Sequence, residues 1–413
     1  MTDSTDVIVI GAGIVGVNIA LKLRQKGFET LLLDRGEPIS GCSSGNAGVI
    51  ATYAVAPLSL PGLWKQVPKM LFDHQGPLTI RLKHFFKVLP WLLKFTLSSR
   101  RAIVEENSLV LKDLVEGSLK SYLDLCQDLN IQELIKPSPL LCVYKSRKDY
   151  ENDTLIWSLR KKLGVKWRVL ECEGLRRFEP AVSAEFKFAA LLEGAGFTLN
   201  PQLLGESIFD EYLRLGGEFK KLNVEKIQIL QDVKLIHSAK EILKARKIVI
   251  AGGAWSGFLA NQLGEKVSLE AERGYHFNLS NFKGSGPKVP IMSPAHKVIA
   301  TPMMNGLRIA GMVEFGGFLP PDYSRADVLR EQLHQVFPSI SGGVSSCWMG
   351  HRPTLPDSLP VISPSSIHSD VFYAFGHHHI GLTCAPITAS LIVELISGHT
   401  PSIDLAPFSI GRF

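Results

Sequence analysis

The chain has 413 residues, of which 45% are hydrophobic and 20% charged; its 36 Gly and 24 Pro are spread along it, which excludes disordered, collagen-like and small disulfide-scaffold classes. The length exceeds a typical domain of about 100–200 residues, so two intertwined domains are expected. Lys and Arg number 45 against 39 Asp and Glu, a net charge of +6. That mild excess suits an anionic small ligand or a lipid surface, not a nucleic-acid binder, which concentrates its basic residues on one face.

The cysteines (Cys42, Cys126, Cys142, Cys172, Cys347, Cys384) form no CxxC pair. Asp3 and Asp6 stand where a secretory leader would carry positive charge. Reduced thiols and a cytoplasmic protein are therefore expected. The apolar stretch at 85–97 is shorter than the ~20 residues a bilayer requires and is interrupted by Lys87, Pro90 and Lys94, so no transmembrane helix is expected.

In chain order, residues 6–10 read as a buried strand, 14–26 as a helix and 30–33 as a strand ending at Asp34, together a βαβ unit. A Gly/Ser-rich loop spans 41–48, and residues 58–127 read as mostly helical with pauses at prolines. Residues 140–145 read as a strand and 149–163 as a helix. Pro201 opens a helix to Leu215, closed by Gly216 and Gly217. Residues 247–251 form a strand before Gly252-Gly253, and 275–279, 298–302 and 307–313 are further strands. A helix follows at 322–336, a strand at 371–374 and an apolar helix at 386–396.

The strongest local signal is Gly11-Ala12-Gly13-Ile14-Val15-Gly16, between a strand and a helix. Gly11 permits the tight turn, Gly13 lets backbone approach a pyrophosphate, and Gly16 allows close helix–strand packing. The helix N-terminus then presents its positive dipole end to the phosphates. Asp34 is placed to accept from a ribose hydroxyl, and its charge disfavours a 2′-phosphate even with Arg35 adjacent. This motif alone leaves FAD and NAD open. The segment Ser43-Ser44-Gly45-Asn46-Ala47-Gly48 suits backbone wrapping an extended ligand, or equally a flexible linker.

These two motifs resemble the FAD-dependent amino-acid oxidoreductases of the D-amino-acid oxidase superfamily, with the strongest likeness to bacterial D-amino-acid dehydrogenases. So do Glu272-Arg273-Gly274-Tyr275-His276, Ala310-Gly311-Met312-Val313-Glu314, Gly350-His351-Arg352-Pro353-Thr354-Leu355-Pro356-Asp357 and Gly376-His377-His378-His379-Ile380-Gly381-Leu382-Thr383, in order along the chain. The resemblance implies an α/β fold: a Rossmann-like FAD domain with a parallel central sheet (1–58, 168–264, 346–413), and a substrate domain on a mixed, mostly antiparallel sheet (59–167, 265–345).

It also implies FAD, held by the N-terminal motifs, Gly252, Gly253, His377 and a C-terminal turn and helix whose amides around Ile380, Gly381, Leu382 and Thr383 face the flavin. Some members attach FAD covalently, but nothing in the spacing of Cys42 and Cys384 points to attachment, so non-covalent FAD is expected. The reaction implied is oxidation of a D-amino acid, of D-proline or hydroxy-D-proline type, by hydride transfer from Cα to flavin N5. Electrons would pass to a quinone or another non-oxygen acceptor. Arg352 would bind the substrate carboxylate through its planar fork; by itself it reads as a surface Arg before a loop marked by Pro353 and Pro356. Tyr275 and His276 are further candidate catalytic residues, on opposite faces of a strand.

The histidine triplet is not read as a metal site, since successive residues diverge and ligands at zinc spacing are missing. Around Trp64, Lys65, Phe85, Phe86, Lys87, Trp91, Leu92, Lys94 and Phe95, aromatics and lysines mix as at a membrane interface, or as in a cap over the site. A membrane surface or partner subunits are thus candidate partners. The rival functions are a glycine- or sarcosine-type oxidase using oxygen, a flavin-dependent 2-hydroxy-acid dehydrogenase, and a flavin-carrying subunit of a larger complex.

Overall fold

The computed structural model describes residues 5–62, 78–230 and 233–413. Trp64 and Lys65 lie outside them. Two large sheets organise the chain. In the eight-stranded one, Thr5–Ile10 is flanked in parallel by Thr30–Asp34 and Ile242–Ile250, and Val371–Phe375 runs parallel to the end of Ile242–Ile250. Val7, Ile8, Val9, Leu32 and Leu33 are fully buried, an unbroken apolar run that follows from cover on both faces. The helices Ile14–Gln25 and Gly381–Ile396 pack one face through Val17, Leu21, Leu391 and Ile392. Ile8, Leu33 and Ile248 fill a separate core on the other.

The nine-stranded sheet is mixed. Its far edge runs Val344–Thr354, Glu270–Leu279, Gly306–Phe315, Val298–Met303, all antiparallel. Phe277 and Ile309 bury against Leu329 and Leu333 of the helix Ser324–Val336. Trp167–Glu171, Phe188–Leu192 and Val344–Thr354 belong to this sheet, although Phe188–Leu192 and most of the other two lie in stretches assigned from sequence to the FAD segments. Residues 149–163 divide into Arg147–Asn152 and Thr154–Lys162. In the described part of 58–127, Leu78–Ile80 is a strand, and the helices are Phe85–Ser98, Arg101–Val115 and Ser118–Asp128.

Two local differences from the sequence reading bear on function. The last helix begins at Gly381, not at Pro386, which sits inside it. Pro386 has no N–H to offer the Leu382 carbonyl, and that carbonyl accepts from Tyr122 Oη at 2.7 Å instead. Arg352 lies on a strand, not in a loop. Val344–Thr354 is an edge strand, where the missing amide of Pro353 is tolerated.

Candidate functional site

The three fingerprint glycines do different work. Gly11 has φ +114°, and a Cβ there would stand 2.4 Å from the Ala251 carbonyl oxygen; one on Gly16 would stand 1.8 Å from the Gly11 oxygen. Both are required by packing between strand and helix. A Cβ on Gly13 would meet only Ser43 Oγ, at 3.2 Å, so this position opens elsewhere. It opens onto a cavity of about 1170 Å³ lined at this end by Gly11, Gly13, Ile14, Val15, Asp34 and Arg35.

Asp34 Oδ2 accepts from the Ala12 amide at 2.7 Å and Oδ1 from the Gly36 amide at 2.9 Å, which fixes the carboxylate at the cavity wall. Each oxygen keeps acceptor capacity for a ribose hydroxyl. The Arg35 guanidinium lies 3.7 Å over the Trp255 ring, just past Gly252 and Gly253, and all four line the same cavity.

The loop at 41–48 is built rather than loose. The Ile14 amide donates to Ser43 Oγ at 2.8 Å, leaving other first-turn amides at the cavity. Asn46 Nδ2 donates to the Ser43 carbonyl at 2.6 Å, and its Oδ1 accepts from the Gly48 amide at 2.7 Å. Arg308 Nη1 donates to the carbonyls of Ser44 and Asn46 at 3.0 and 2.8 Å. Sequence reasoning missed Arg308; the available signal was one basic residue in a mostly apolar strand. Ala47 lines the cavity, and Gly48 adopts φ +73° with the Thr198 carbonyl 3.0 Å from its would-be Cβ.

His276 also supports this loop. Its Nδ1 donates to the Gly45 carbonyl at 2.8 Å while its ring stacks on Trp348, centroids 5.0 Å apart. Burial, then the Arg308 charge, pushes it down to about 3. It is a neutral buttress away from the cavity lining. The Tyr275 hydroxyl donates to Glu314 and accepts from the Asp322 amide, so its one proton is engaged in the wall. Burial and Glu314 push it up to about 12.

At the C-terminal segment, Cys384 donates to the Ile380 carbonyl, so the amides of Gly381, Leu382 and Thr383 have no partner within their helix. Gly381 and Leu382 line the cavity, and the Ala51 amide donates to Thr383 Oγ1 at 3.0 Å. All three histidines of the triplet line the cavity, with different surroundings. His377 is buried with Nε2 3.0 Å from Thr388 Oγ1, and His378 is buried at φ +45°. His379 presents its ring to the cavity; the surrounding protein, then the Arg352 charge, pushes it down to about 4. Among the described residues no group of three His, Cys, Asp or Glu could hold a metal ion.

Arg352 stands at this end of the cavity. Its Nη1 donates to Glu272 Oε1 at 2.6 Å and to the Met312 carbonyl at 3.0 Å. Nε and Nη2 make no hydrogen bond among the described residues, so one edge of the fork remains available. Gly274 makes room for it: a Cβ there would stand 2.1 Å from Nη2. Glu272, which sequence reasoning quoted without a role, pairs with Arg352 across the ladder. The remaining wall here is apolar, with Leu78, Ile80, Trp91, Phe95 and Phe315.

The long cavity, glycine cradle and fixed ribose-side acid fit a dinucleotide. A family model described as FAD dependent oxidoreductase matches residues 6–395. The chain belongs to this family. It is a flavoenzyme, and its cofactor is FAD. Over their full lengths, it is 36% identical to a D-amino-acid oxidase of Bradyrhizobium diazoefficiens. It is 28% identical to a D-amino acid dehydrogenase of the same organism, with 98% of each chain covered. Its fold matches the crystal structure of glycine oxidase from Geobacillus kaustophilus with a TM-score of 0.79 at 18% identity, covering 100% of both chains.

Proposed function

We propose that this flavoenzyme oxidises the Cα–N bond of a D-amino acid whose carboxylate is held by Arg352. The observation that carries the reading is the half-engaged guanidinium: Glu272 and the Met312 carbonyl fix Nη1, while Nε and Nη2 remain for two parallel bonds to a carboxylate. When bound, FAD supplies the hydride acceptor. Arg352 fixes the distance and orientation of Cα, and this positioning is the chain's main contribution to rate.

His379, held neutral beside Arg352, adds no second positive charge and offers a ring nitrogen to the substrate amine. Neither Tyr275 nor His276 is assigned proton transfer; both brace the site. The apolar wall of Leu78, Ile80, Trp91, Phe95 and Phe315 suits an apolar or cyclic side chain, including D-proline or hydroxy-D-proline. The product is an imino acid that hydrolyses to a 2-oxo acid and ammonia, or a ring imine from a cyclic substrate.

FAD is held without a covalent link. The Cys42 thiol donates to the His351 carbonyl at 2.6 Å and burial pushes it up to about 12, while burial also raises Cys384. Neither is a ready thiolate nucleophile. Electrons pass to a quinone or another non-oxygen acceptor, with the protein peripheral on the inner face of a membrane; among the described residues no helix is long and apolar enough to cross one. A second reading, oxygen as acceptor, is favoured by the relative named an oxidase.

Turnover with a soluble quinone and with oxygen, followed by 2-oxo acid and peroxide formation, tests the proposal. Quinone-dependent oxidation of D-amino acids with little peroxide is expected, whereas stoichiometric peroxide selects the second reading. Oxidation of 2-hydroxy acids but not amino acids contradicts both.

A further inference from the structure

We infer that the outer face of the helix Phe85–Ser98 docks the protein on an anionic lipid surface. Leu82, Phe86, Leu93 and Leu97 are 89, 82, 60 and 54% exposed, and Leu89 is exposed between them. Steps of three and four residues place all five along one side of the helix and its leading turn. Isolated exposed apolar residues are ordinary, but a continuous stripe on one helix marks an interaction site.

Charge selects the occupant. From Leu78 to Val104 the sequence holds Arg81, Lys83, Lys87, Lys94, Arg100 and Arg101 and no Asp or Glu. Arg81 is turned inward onto Glu314 and Asp322, and Arg101 pairs with Glu105. Lys83 and Lys87 are exposed and make no ion pair among the described residues. Apolar side chains flanked by lysines are the composition of an interfacial helix, whose apolar face enters the acyl boundary while the lysines reach anionic headgroups.

The inner face gives the docking a use. Val88 and Trp91 are buried, and Trp91 Nε1 donates to the Thr354 carbonyl at 3.2 Å, two residues beyond Arg352. Trp91, Leu92 and Phe95 line the cavity. One helix thus separates the redox site from the lipid, placing the cavity wall beside the phase where an apolar quinone dissolves. This use rests on the proposed lipid-soluble acceptor; the docking itself rests on the exposed stripe and its lysines.

The test is flotation of the FAD-loaded protein with vesicles of phosphatidylcholine alone and of phosphatidylcholine mixed with phosphatidylglycerol. Binding to the anionic vesicles, weakened by salt, is expected. Phe86→Ser with Leu93→Ser, and separately Lys83→Glu with Lys87→Glu, should each lower partitioning about tenfold or more. Flavin bleaching by substrate in lipid-free solution should be unchanged in both double variants. No vesicle binding by the unaltered protein, or undiminished binding by the variants, overturns the inference. A lipid-free dimer dissolved by the Phe86/Leu93 variant also overturns it, assigning the face to a second copy. If vesicles bind as expected but no amino acid bleaches the flavin, the docking stands and the substrate reading falls.

Discussion

Arg352→Lys is the most informative substitution at the site. Alanine would leave Glu272, whose side chain is only 7% exposed, as a buried unpaired charge, mixing a folding defect with a catalytic one. Lysine retains a cation for Glu272 but loses the planar fork. The ammonium must divide itself between Glu272 and the substrate carboxylate, where Arg352 serves Glu272 with Nη1 and keeps Nε and Nη2 for the ligand. Hydrogen bonds to charged groups contribute about 1.5–3 kcal/mol each, so losing one and distorting the other costs about 2–4 kcal/mol. That is about 30- to 1000-fold in kcat/KM. A carboxylate is held in both ground and transition states, so the larger part of the loss should appear in KM, with a smaller fall in kcat from misplaced Cα. Anaerobic stopped-flow reduction of the flavin against substrate concentration separates the two. Unchanged KM and unchanged limiting rate would refute the role given to Arg352.

Gly274→Ala should reproduce much of this loss, about 10- to 100-fold in kcat/KM with FAD content intact, because its Cβ would lie 2.1 Å from Arg352 Nη2; normal kinetics would show that the guanidinium is not held there. Gly13→Ala should fold, since only Ser43 Oγ stands near its Cβ, yet emerge from purification with flavin absorbance reduced about tenfold or more; Gly16→Ala, directed at the Gly11 oxygen, should fail to fold. Arg308→Met should release the Ser44 and Asn46 carbonyls and weaken FAD retention, read as the ratio of flavin to protein absorbance on dilution.

His276, His351 and His377 are held down to about 3 or 4 in the folded chain, so between there and pH ~6.5 the unfolded chain binds more protons. Stability should therefore fall as pH drops from 6.5 towards 4, and a Tm flat across that window would contradict their burial as neutral rings.

The cofactor end was legible because its signals are local. Gly11, Gly13, Gly16 and Asp34 sit within one βαβ unit, so spacing alone defines the turn, the helix N-terminus and the acid. The substrate end depends on which distant strands become neighbours. Glu272 gains meaning only when Glu270–Leu279 pairs with Val344–Thr354 and brings it opposite Arg352. Pro353 argued for a loop because sequence does not announce that its strand is an edge. Arg308 reaches residues 44 and 46 across 262–264 positions of chain, beyond any periodicity. The start of the last helix was hidden for a different reason: Pro386 looks like a first-turn residue unless Tyr122 is known to satisfy the carbonyl it leaves open.

The central claim, a D-amino acid oxidised at a flavin beside Arg352, is tested most directly by anaerobic bleaching of the purified protein's flavin absorbance. The panel comprises D- and L-alanine, D- and L-proline, 4-hydroxy-D-proline, glycine, sarcosine and 2-hydroxy acids. Rapid bleaching by a D-amino acid and not by its L-enantiomer, with fast reoxidation by a quinone, is the expected result. A bound flavin that stays oxidised with every amino acid, or that only 2-hydroxy acids bleach, would contradict it.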